Sequence, residues 1–385
     1  MKRLARCVAG TFAVLFATAA SAEIKVGAVL SLTGPAASLG IPAKNTLDIL
    51  PRTIGDHPVT FVVLDDASDP SAAVRAARRL VDEEKVDVIV GPSVTPTSLA
   101  VLEVIGPSKT PMVSLAGSSI ISAPVEGNKE WAFKLAPEEP TMGAYIFRNM
   151  ELNGEKTVGF IGFNDAFGDS FIGAMKNIAA EKGVEVLADE RFNRTDTSVA
   201  AQALRLMAVA PDAIIIGASG TPGVTPILEL DRLGYDGSIY VNQGMANPDV
   251  LRVGGAALDG VMMPVSPVLV AEQLPEDNPV KAAGLEYANA YEGKYGAASR
   301  NLFGATAWDA FKIISAAVPK ALEAGEPGTE AFRTALRDAM QGTTDLVGAQ
   351  GVFTMGPTNH NGTDMRAQVL VRIENGGWTY VPLAF

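Results

Sequence analysis

The stretch from Val88 to Ser119, VIVGPSVTPTSLAVLEVIGPSKTPMVSLAGSS, constrains the chain most, because it reads as strand, tight loop, helix, strand and a second hydroxyl-rich loop. Val88 to Val90 is a β-branched apolar run ended by Gly91-Pro92, and Thr95 followed by Pro96 is an N-cap with proline in the first turn, so a helix is expected to start at Thr95. It closes near Gly106-Pro107, and Met112 to Leu115 returns as the next strand, delivering Ala116, Gly117 and Ser118 to the edge that already carries the first loop. Open parallel sheets bind ligands at the carboxyl ends of their strands, where helix N-termini offer free N–H groups and a positive dipole end. Two hydroxyls, a helix N-terminus and exposed backbone make a seat for a small anion such as a carboxylate. Ser and Thr in one such loop need do no more than cap a turn; two loops converging on one edge favour a site.

The N-terminal MKRLARCVAGTFAVLFATAASA has Lys2, Arg3 and Arg6, an apolar stretch from Val8 to Ala19, and Ala20-Ser21-Ala22, the three parts of a secretory signal. Cleavage is expected after Ala22. The apolar stretch is short for a membrane anchor, and Cys7 stands too early for a lipoprotein signal. Cys7 is the only cysteine, so the mature chain has no disulfide and no thiol chemistry. The whole chain carries a formal charge of −12, and loss of the three basic residues takes the mature protein to −15. That surface disfavours nucleic acid and anionic lipid as partners, while a local dipole in a cleft can still hold an anion. A length above 360 residues exceeds one comfortable core, and two domains are expected.

Along the chain, Glu23–Leu30 reads as a first strand running through Thr33-Gly34-Pro35 into a helix over Gly40–Leu50. Pro58–Leu64 is a second strand, and Asp69-Pro70 starts a helix with Ala73, Val74, Ala77, Leu80 and Val81 on one face. Trp131–Leu135 reads as a short isolated strand, the first crossover into a second domain. That domain repeats the grammar: helix Thr141–Leu152, strand Thr157–Phe163, helix Gly168–Lys182, strand Val184–Leu187, helix Val199–Val209, strand Ala213–Ile216, helix Pro222–Leu233 and strand Ser238–Val241. Gly260–Pro264 suits a return crossover, followed by helices Pro279–Tyr295, Asn301–Leu322 and Glu330–Met340. The tail has strands Gly351–Thr354, Arg366–Ile373 and Trp378–Val381, with Glu374-Asn375-Gly376-Gly377 as hairpin turn chemistry. Strands alternating with helices imply an α/β fold of parallel sheets covered on both faces.

The segment GPSVTPTSLAVLEVIGPSKTPMVSLAGS, with the opening strand and its TGP loop, resembles the type I periplasmic solute-binding proteins of ABC transporters, in the branched-chain amino acid receptor family. The resemblance covers nearly all of the mature chain. It implies two doubly wound parallel-sheet lobes joined by a three-segment hinge, with residues 23–134 and 265–345 in the first lobe and 135–264 and 346–385 in the second. It implies ligand-carboxylate contacts at Thr95, Ala116 and Ser118, an aromatic cover at Phe167 in Asn164-Asp165-Ala166-Phe167-Gly168, and a further ligand loop at Ser219-Gly220. Leu39 and Phe303 match the family's side-chain pocket; for these and Phe167, core packing is an equal reading. The loop whose acidic residue binds an α-ammonium in the amino acid receptors matches Asn242-Gln243-Gly244, and here the position is Gln243. A buried ammonium without an anion costs several kcal/mol, so the departure points to an acid with no ionised α-amino group, unless Asp165 supplies the charge.

No catalytic set competes with a binding role. His57 and His360 are the only histidines, fall in different expected domains, and have no HxxxH, HExxH or cysteine partner. Gly217-Ala218-Ser219-Gly220-Thr221-Pro222-Gly223 is neither GxGxxG nor a P-loop, and Asp65-Asp66 has no oxygen-ligand repeat around it. The expectation is a periplasmic, monomeric binding protein without cofactor or metal, taking a small carboxylate or amino acid by hinge closure and docking on an inner-membrane ABC permease. A periplasmic sensor reporting to a membrane receptor is the alternative of another class.

Overall fold

The computed structural model describes residues 22–385, so the signal-peptide reading of the first residues lies outside the described part. The first half alternates as the sequence implies: β1 (Ile24–Leu30), α1 (Ala37–Leu47), β2 (Thr53–Ile54), β3 (His57–Asp65), α2 (Pro70–Asp82), β4 (Val88–Val90), α3 (Thr95–Ser108), β5 (Met112–Ser114) and β6 (Ala132–Lys134). These strands form one sheet in the order β2-β3-β1-β4-β5-β6, parallel except for β2. Its strands alternate between two apolar layers. Val26, Ala28 and Leu30 pack with Ala43 and Leu47 of α1, whereas Val29 and Ile89 pack with Ala77 and Leu80 of α2 and Val101 and Ile105 of α3. Each valine, leucine or isoleucine among them contributes about 1.5–3 kcal/mol when withdrawn from water, so both faces need a helical cover.

The second sheet draws on α4 (Glu139–Asn153), β7 (Thr157–Phe163), α5 (Ala166–Lys182), β8 (Glu185–Phe192), α6 (Ala200–Val209), β9 (Ala213–Gly217), α7 (Val224–Arg232), β10 (Ser238–Val241), α8 (Pro248–Gly254) and β11 (Met262–Val265). After α9 (Lys281–Tyr295), α10 (Leu302–Ala324), α11 (Glu330–Gln341), β12 (Leu346–Val347) and β13 (Val352–Phe353), the chain returns with β14 (Val369–Glu374) and β15 (Gly377–Val381). The order is β15-β14-β11-β10-β9-β7-β8, with β14 alone running against the rest, antiparallel to both β11 and β15. Asn375 and Gly376 both take positive φ between them, the two-residue turn that suits a twisted hairpin.

Two readings from the sequence are corrected. Trp131–Leu135 is not an isolated strand: β6 pairs with β5 through Met112↔Ala132 and Val113↔Phe133, and its two faces put Ala132 and Phe133 in opposite apolar layers. The third passage between sheets does not fall at Asp345, because β12 and β13 pair with each other and Phe353 and Met355 sit in the core of the first sheet. His360 stacks on Phe133 at 4.3 Å, and Asn361 donates to the Lys134 and Ala136 carbonyls, so the chain leaves the first sheet only after Asn361. Helix α10 is shared: Leu302 and Ala305 pack in the second core, Ala307 and Ala310 in the first. The two-residue β2 and seven-residue α8 escaped the sequence reading because neither is long enough to show a period.

One buried acid on α10 fixes a loop at the site. Asp309 is wholly buried and accepts hydrogen bonds from the Ala349 N–H at 2.6 Å and the Gln350 N–H at 2.9 Å. A side chain at Gly348 would come within 2.7 Å of its carboxyl group, so the loop is built around the acid. Burial pushes the Asp309 carboxyl up to about 7, from an ordinary value near 4 in the unfolded chain. Between about pH 4 and pH 7 the unfolded chain therefore releases a proton that the native protein keeps, and folding stability falls as pH rises through that window. Asp309→Asn is expected to flatten this slope by a few kcal/mol, at about 1.4 kcal/mol per pKa unit, in urea unfolding at pH 5 and pH 8. An unchanged slope in the variant would remove Asp309 as its source.

Candidate functional site

Between the carboxyl edges of the two sheets lies a cleft with about 500 Å³ of empty space. The first sheet's side supplies Leu39, Val94, Thr95 and Gly117, the second's supplies Phe167, Arg194, Ser219 and Gln243, and Phe303 and Gln350 close it from α10 and the loop that Asp309 holds.

The first wall follows from how α3 begins. Its N-cap is Val94, in extended backbone, and Thr95 is the first helical residue, so the cap falls one place earlier than the sequence implies. The hydroxyls of Thr97 and Ser98 both donate to the Val94 carbonyl, and no side chain caps the first N–H groups of α3. Thr95 is 1% exposed and its Oγ1 has no hydrogen-bond partner among the described residues; the same holds for Ser118 Oγ, at 0% exposure. Leaving a buried hydroxyl unpaired costs about 1–3 kcal/mol, and two in adjoining loops mark a place arranged for a hydrogen-bonding guest. Ala116 is buried, but its N–H already donates to Ser114 Oγ at 3.2 Å, and Gly117 rather than Ala116 or Ser118 borders the empty space. The helix continues through Gly106-Pro107 and ends at Ser108, with Lys109 in the left-handed conformation.

Opposite, Asp165 caps α5 by accepting from the N–H groups of Phe167 at 2.9 Å and Gly168 at 3.1 Å. Gly168 is required, since a Cβ there would meet the Phe163 carbonyl oxygen at 1.9 Å. That tight turn sets Phe167 over Gly117, whose added Cβ would lie 3.5 Å from the ring. Leu39 and Phe303 pack with Ala36 and Val94 in a small apolar cluster and also line the cleft.

The residue that sequence reasoning missed is Arg194. Strand β8 runs to Phe192, five residues beyond its expected end at Leu187, and carries Arg194 to the cleft edge rather than into a remote loop. Its Nε donates to Asp165 Oδ2 at 2.6 Å, its Nη1 to Ser219 Oγ at 3.0 Å, and its guanidinium lies 4.0 Å above the Phe163 ring. Burial pulls the Arg194 pKa down and Asp165 opposes that shift. Asp165, the alternative partner for a ligand ammonium, is not among the residues lining the cleft, and its oxygens accept from two backbone N–H groups and Arg194.

Gln243 is buried, and its Oε1 accepts from Gln368 Nε2 at 2.9 Å and Ser266 Oγ at 3.4 Å, which leaves the amide nitrogen without a protein partner among the described residues. Asn242 is fully used in holding the loops: it donates to the Ala218 and Ile216 carbonyls and accepts from the Gly244 N–H. Among the described residues, no aspartate or glutamate lines the cleft. The two histidines are elsewhere: His57 Nδ1 lies 2.9 Å from the Ala22 carbonyl oxygen and His360 Nδ1 3.0 Å from that of Ala132.

The walls touch at Gly220, which has φ +63°, and a Cβ there would lie 2.6 Å from Leu39 Cδ1 and 2.8 Å from Ser38 Oγ on the opposite side. Gly220→Ala is expected to wedge the cleft and weaken ligand binding at least about tenfold, with backbone strain of about 1–3 kcal/mol added. Small-angle scattering should show a larger radius of gyration for the variant at saturating ligand; a curve matching the native protein's would contradict the wedge.

The model of the family described as "Periplasmic binding protein" matches residues 23–377. Among curated proteins, the Leu/Ile/Val-binding protein BraC3 of Rhizobium johnstonii is 24% identical over 351 residues, 89% of this chain and 90% of that one. Among solved structures, an extracellular ligand-binding receptor from Rhodopseudomonas palustris HaA2 is 41% identical, with a TM-score of 0.90 over 94% of this chain and all of that one. A solute-binding protein of an R. palustris ABC transporter, solved in complex with benzoate, shares the fold at 20% identity, with a TM-score of 0.80 over 94% of this chain and 96% of that one. With two mostly parallel sheets facing each other across a cleft, and a family match over nearly the whole described chain, the protein belongs to the type I periplasmic binding proteins, in the branched-chain amino acid receptor family.

Proposed function

We propose that this protein is the exported solute-binding component of an ABC importer, and that it captures a small carboxylate lacking an α-ammonium group. The supporting observation is the second wall of the cleft: no acidic side chain lines it, Gln243 spends its oxygen on Gln368 and Ser266, and Asp165 is committed to Arg194. An ammonium brings three donors and a charge to a wall that offers donors of its own, and its desolvation would go unanswered. On the first wall, Thr95 borders the cleft with an unpaired hydroxyl at the start of α3, and Ser118, next in the chain to the cleft-lining Gly117, holds a second, which suits a carboxylate that draws Ser118 into reach. Phe167, Leu39 and Phe303 then cover the aliphatic or aromatic body of the acid.

The rest of the proposal follows from that arrangement. Two lobes, one on each sheet, close on the ligand about three connections, near residues 134–139, 265–302 and 361–368. The work is binding and closure; no bond is made or broken. The monomer, freed of its leader after Ala22 in the periplasm, presents its closed form to an inner-membrane permease. A second reading, a branched-chain amino acid binder, draws on the name of the R. johnstonii relative. Calorimetry separates the two: 4-methyl-2-oxopentanoate or an aromatic carboxylate should bind at least about tenfold tighter than leucine, isoleucine or valine. Micromolar leucine binding with no binding of the acids would establish the second reading. A sensor role is separated by whether purified permease or a membrane receptor retains the liganded protein.

A further inference from the structure

We infer that Arg194 is a specificity-determining residue, and that the ligand carries a neutral oxygen acceptor beside its carboxylate, on the side that faces the second wall. This rests on the proposal that the ligand is a carboxylate without an ammonium, and it names what such a ligand presents to the second wall. Arg194 has 15% of its side chain exposed, beside the empty space, and two of its nitrogens are fixed by Asp165 and Ser219. Its Nη2 donates to no protein atom among the described residues. Ser219 Oγ accepts from Arg194 and so keeps its own hydrogen to donate, and Gln243 keeps its amide N–H groups. The second wall therefore gathers three sets of donors from three different loops, with the competing acceptors of Asn242, Gln243 and Asp165 already taken.

Charge decides what kind of acceptor this wall suits. The guanidinium is ion-paired with Asp165 at 2.6 Å, so the pair is close to neutral and offers directed N–H groups rather than a free positive charge. A second carboxylate would enter a desolvated space with its charge uncompensated, whereas a carbonyl, hydroxyl or ether oxygen accepts the same hydrogen bonds at no such cost. An acid with a plain hydrocarbon body would leave the Arg194, Ser219 and Gln243 donors unpaired once water is expelled, and a site built on donors rejects an analogue lacking the acceptor more strongly than it rejects a change of one methylene. The inferred ligand class is thus an oxo-, hydroxy- or alkoxy-substituted monocarboxylic acid.

The test compares matched acids that differ only in that oxygen: 4-methyl-2-oxopentanoate against 4-methylpentanoate, and phenylpyruvate against 3-phenylpropanoate, each titrated calorimetrically into the native mature protein. At least one oxygen-bearing acid should bind about tenfold or more tighter than its partner. In Arg194→Gln that preference should fall to within about threefold, with the loss falling on the oxygen-bearing acid and none on the hydrocarbon acid, whose unpaired donors the variant reduces. Arg194→Lys keeps the ion pair with Asp165 but loses the planar fork, so it should fold even if the glutamine variant does not, and should show most of the same loss. Equal native affinities within each pair, or binding of none of the four acids, would overturn the inference. So would an equal loss for both members of a pair in the variants, which would make Arg194 the carboxylate partner. Leucine binding tighter than all four would instead overturn the underlying reading of the ligand.

Discussion

Replacing Thr95 and Ser118 together by alanine is expected to weaken ligand binding by about a hundredfold while leaving the folded protein as stable as before, or slightly more so. The two effects have one cause. In the ligand-free protein each hydroxyl is buried without a partner, so removing it discards an unmet hydrogen bond and no existing one. With a carboxylate bound, each would donate a charge-assisted hydrogen bond, and losing both amounts to roughly 3 kcal/mol. Calorimetry and thermal unfolding on the same variant check the pair of outcomes. Affinity within twofold of native would place the carboxylate elsewhere in the cleft. A large fall in melting temperature would mean that the hydroxyls serve the fold.

Changing Gln243 to glutamate is expected to invert the ligand preference. The glutamate keeps an oxygen for Gln368 Nε2 and Ser266 Oγ, so the loop holding it has no reason to move. It adds a negative charge where the wall now offers an amide N–H group. Leucine should then gain roughly ten- to hundredfold in affinity, as its ammonium finds an anion, and the matching 2-oxo acid should lose a similar factor by repulsion. Both changes follow from Coulomb energies of a few kcal/mol at contact distance in a partly desolvated site. Weaker binding of both ligands would mean that the charge disturbs Arg194 and Asp165 instead of reaching the ligand.

The fold was legible in this sequence because both of its periods are strong: Val26, Ala28 and Leu30 alternate with Val29 across one strand, and Ala73, Ala77 and Leu80 mark one face of α2. What escaped was short or depended on partners distant in sequence. Strand β6 has three residues and is defined only by its pairing with β5, and the tail's late departure from the first sheet depends on Phe353 and His360 packing against residues more than two hundred positions away. Thr95, read from its loop pattern, and Phe167, Ser219 and Gln243, implied by the family resemblance, all line the cleft. Arg194 was not, because an arginine in the polar segment Asn193-Arg194-Thr195-Asp196 looks like any solvated loop residue. Only the added length of β8, and the ion pair with Asp165 across two loops, bring it into the site. Asp165 was visible as an acid near the ligand loops, but its commitment to the α5 cap and to Arg194 is tertiary information.

The central claim is that the cleft holds a small acid with no ionised amino group, and the most direct measurement is mass spectrometry of the ligand that leaves the purified native protein on mild denaturation, repeated after derivatisation with an amine-reactive reagent. The account predicts a monocarboxylic acid of low mass whose signal the amine reagent leaves unshifted. Recovery of leucine, isoleucine or valine, each shifted by the reagent, would contradict it.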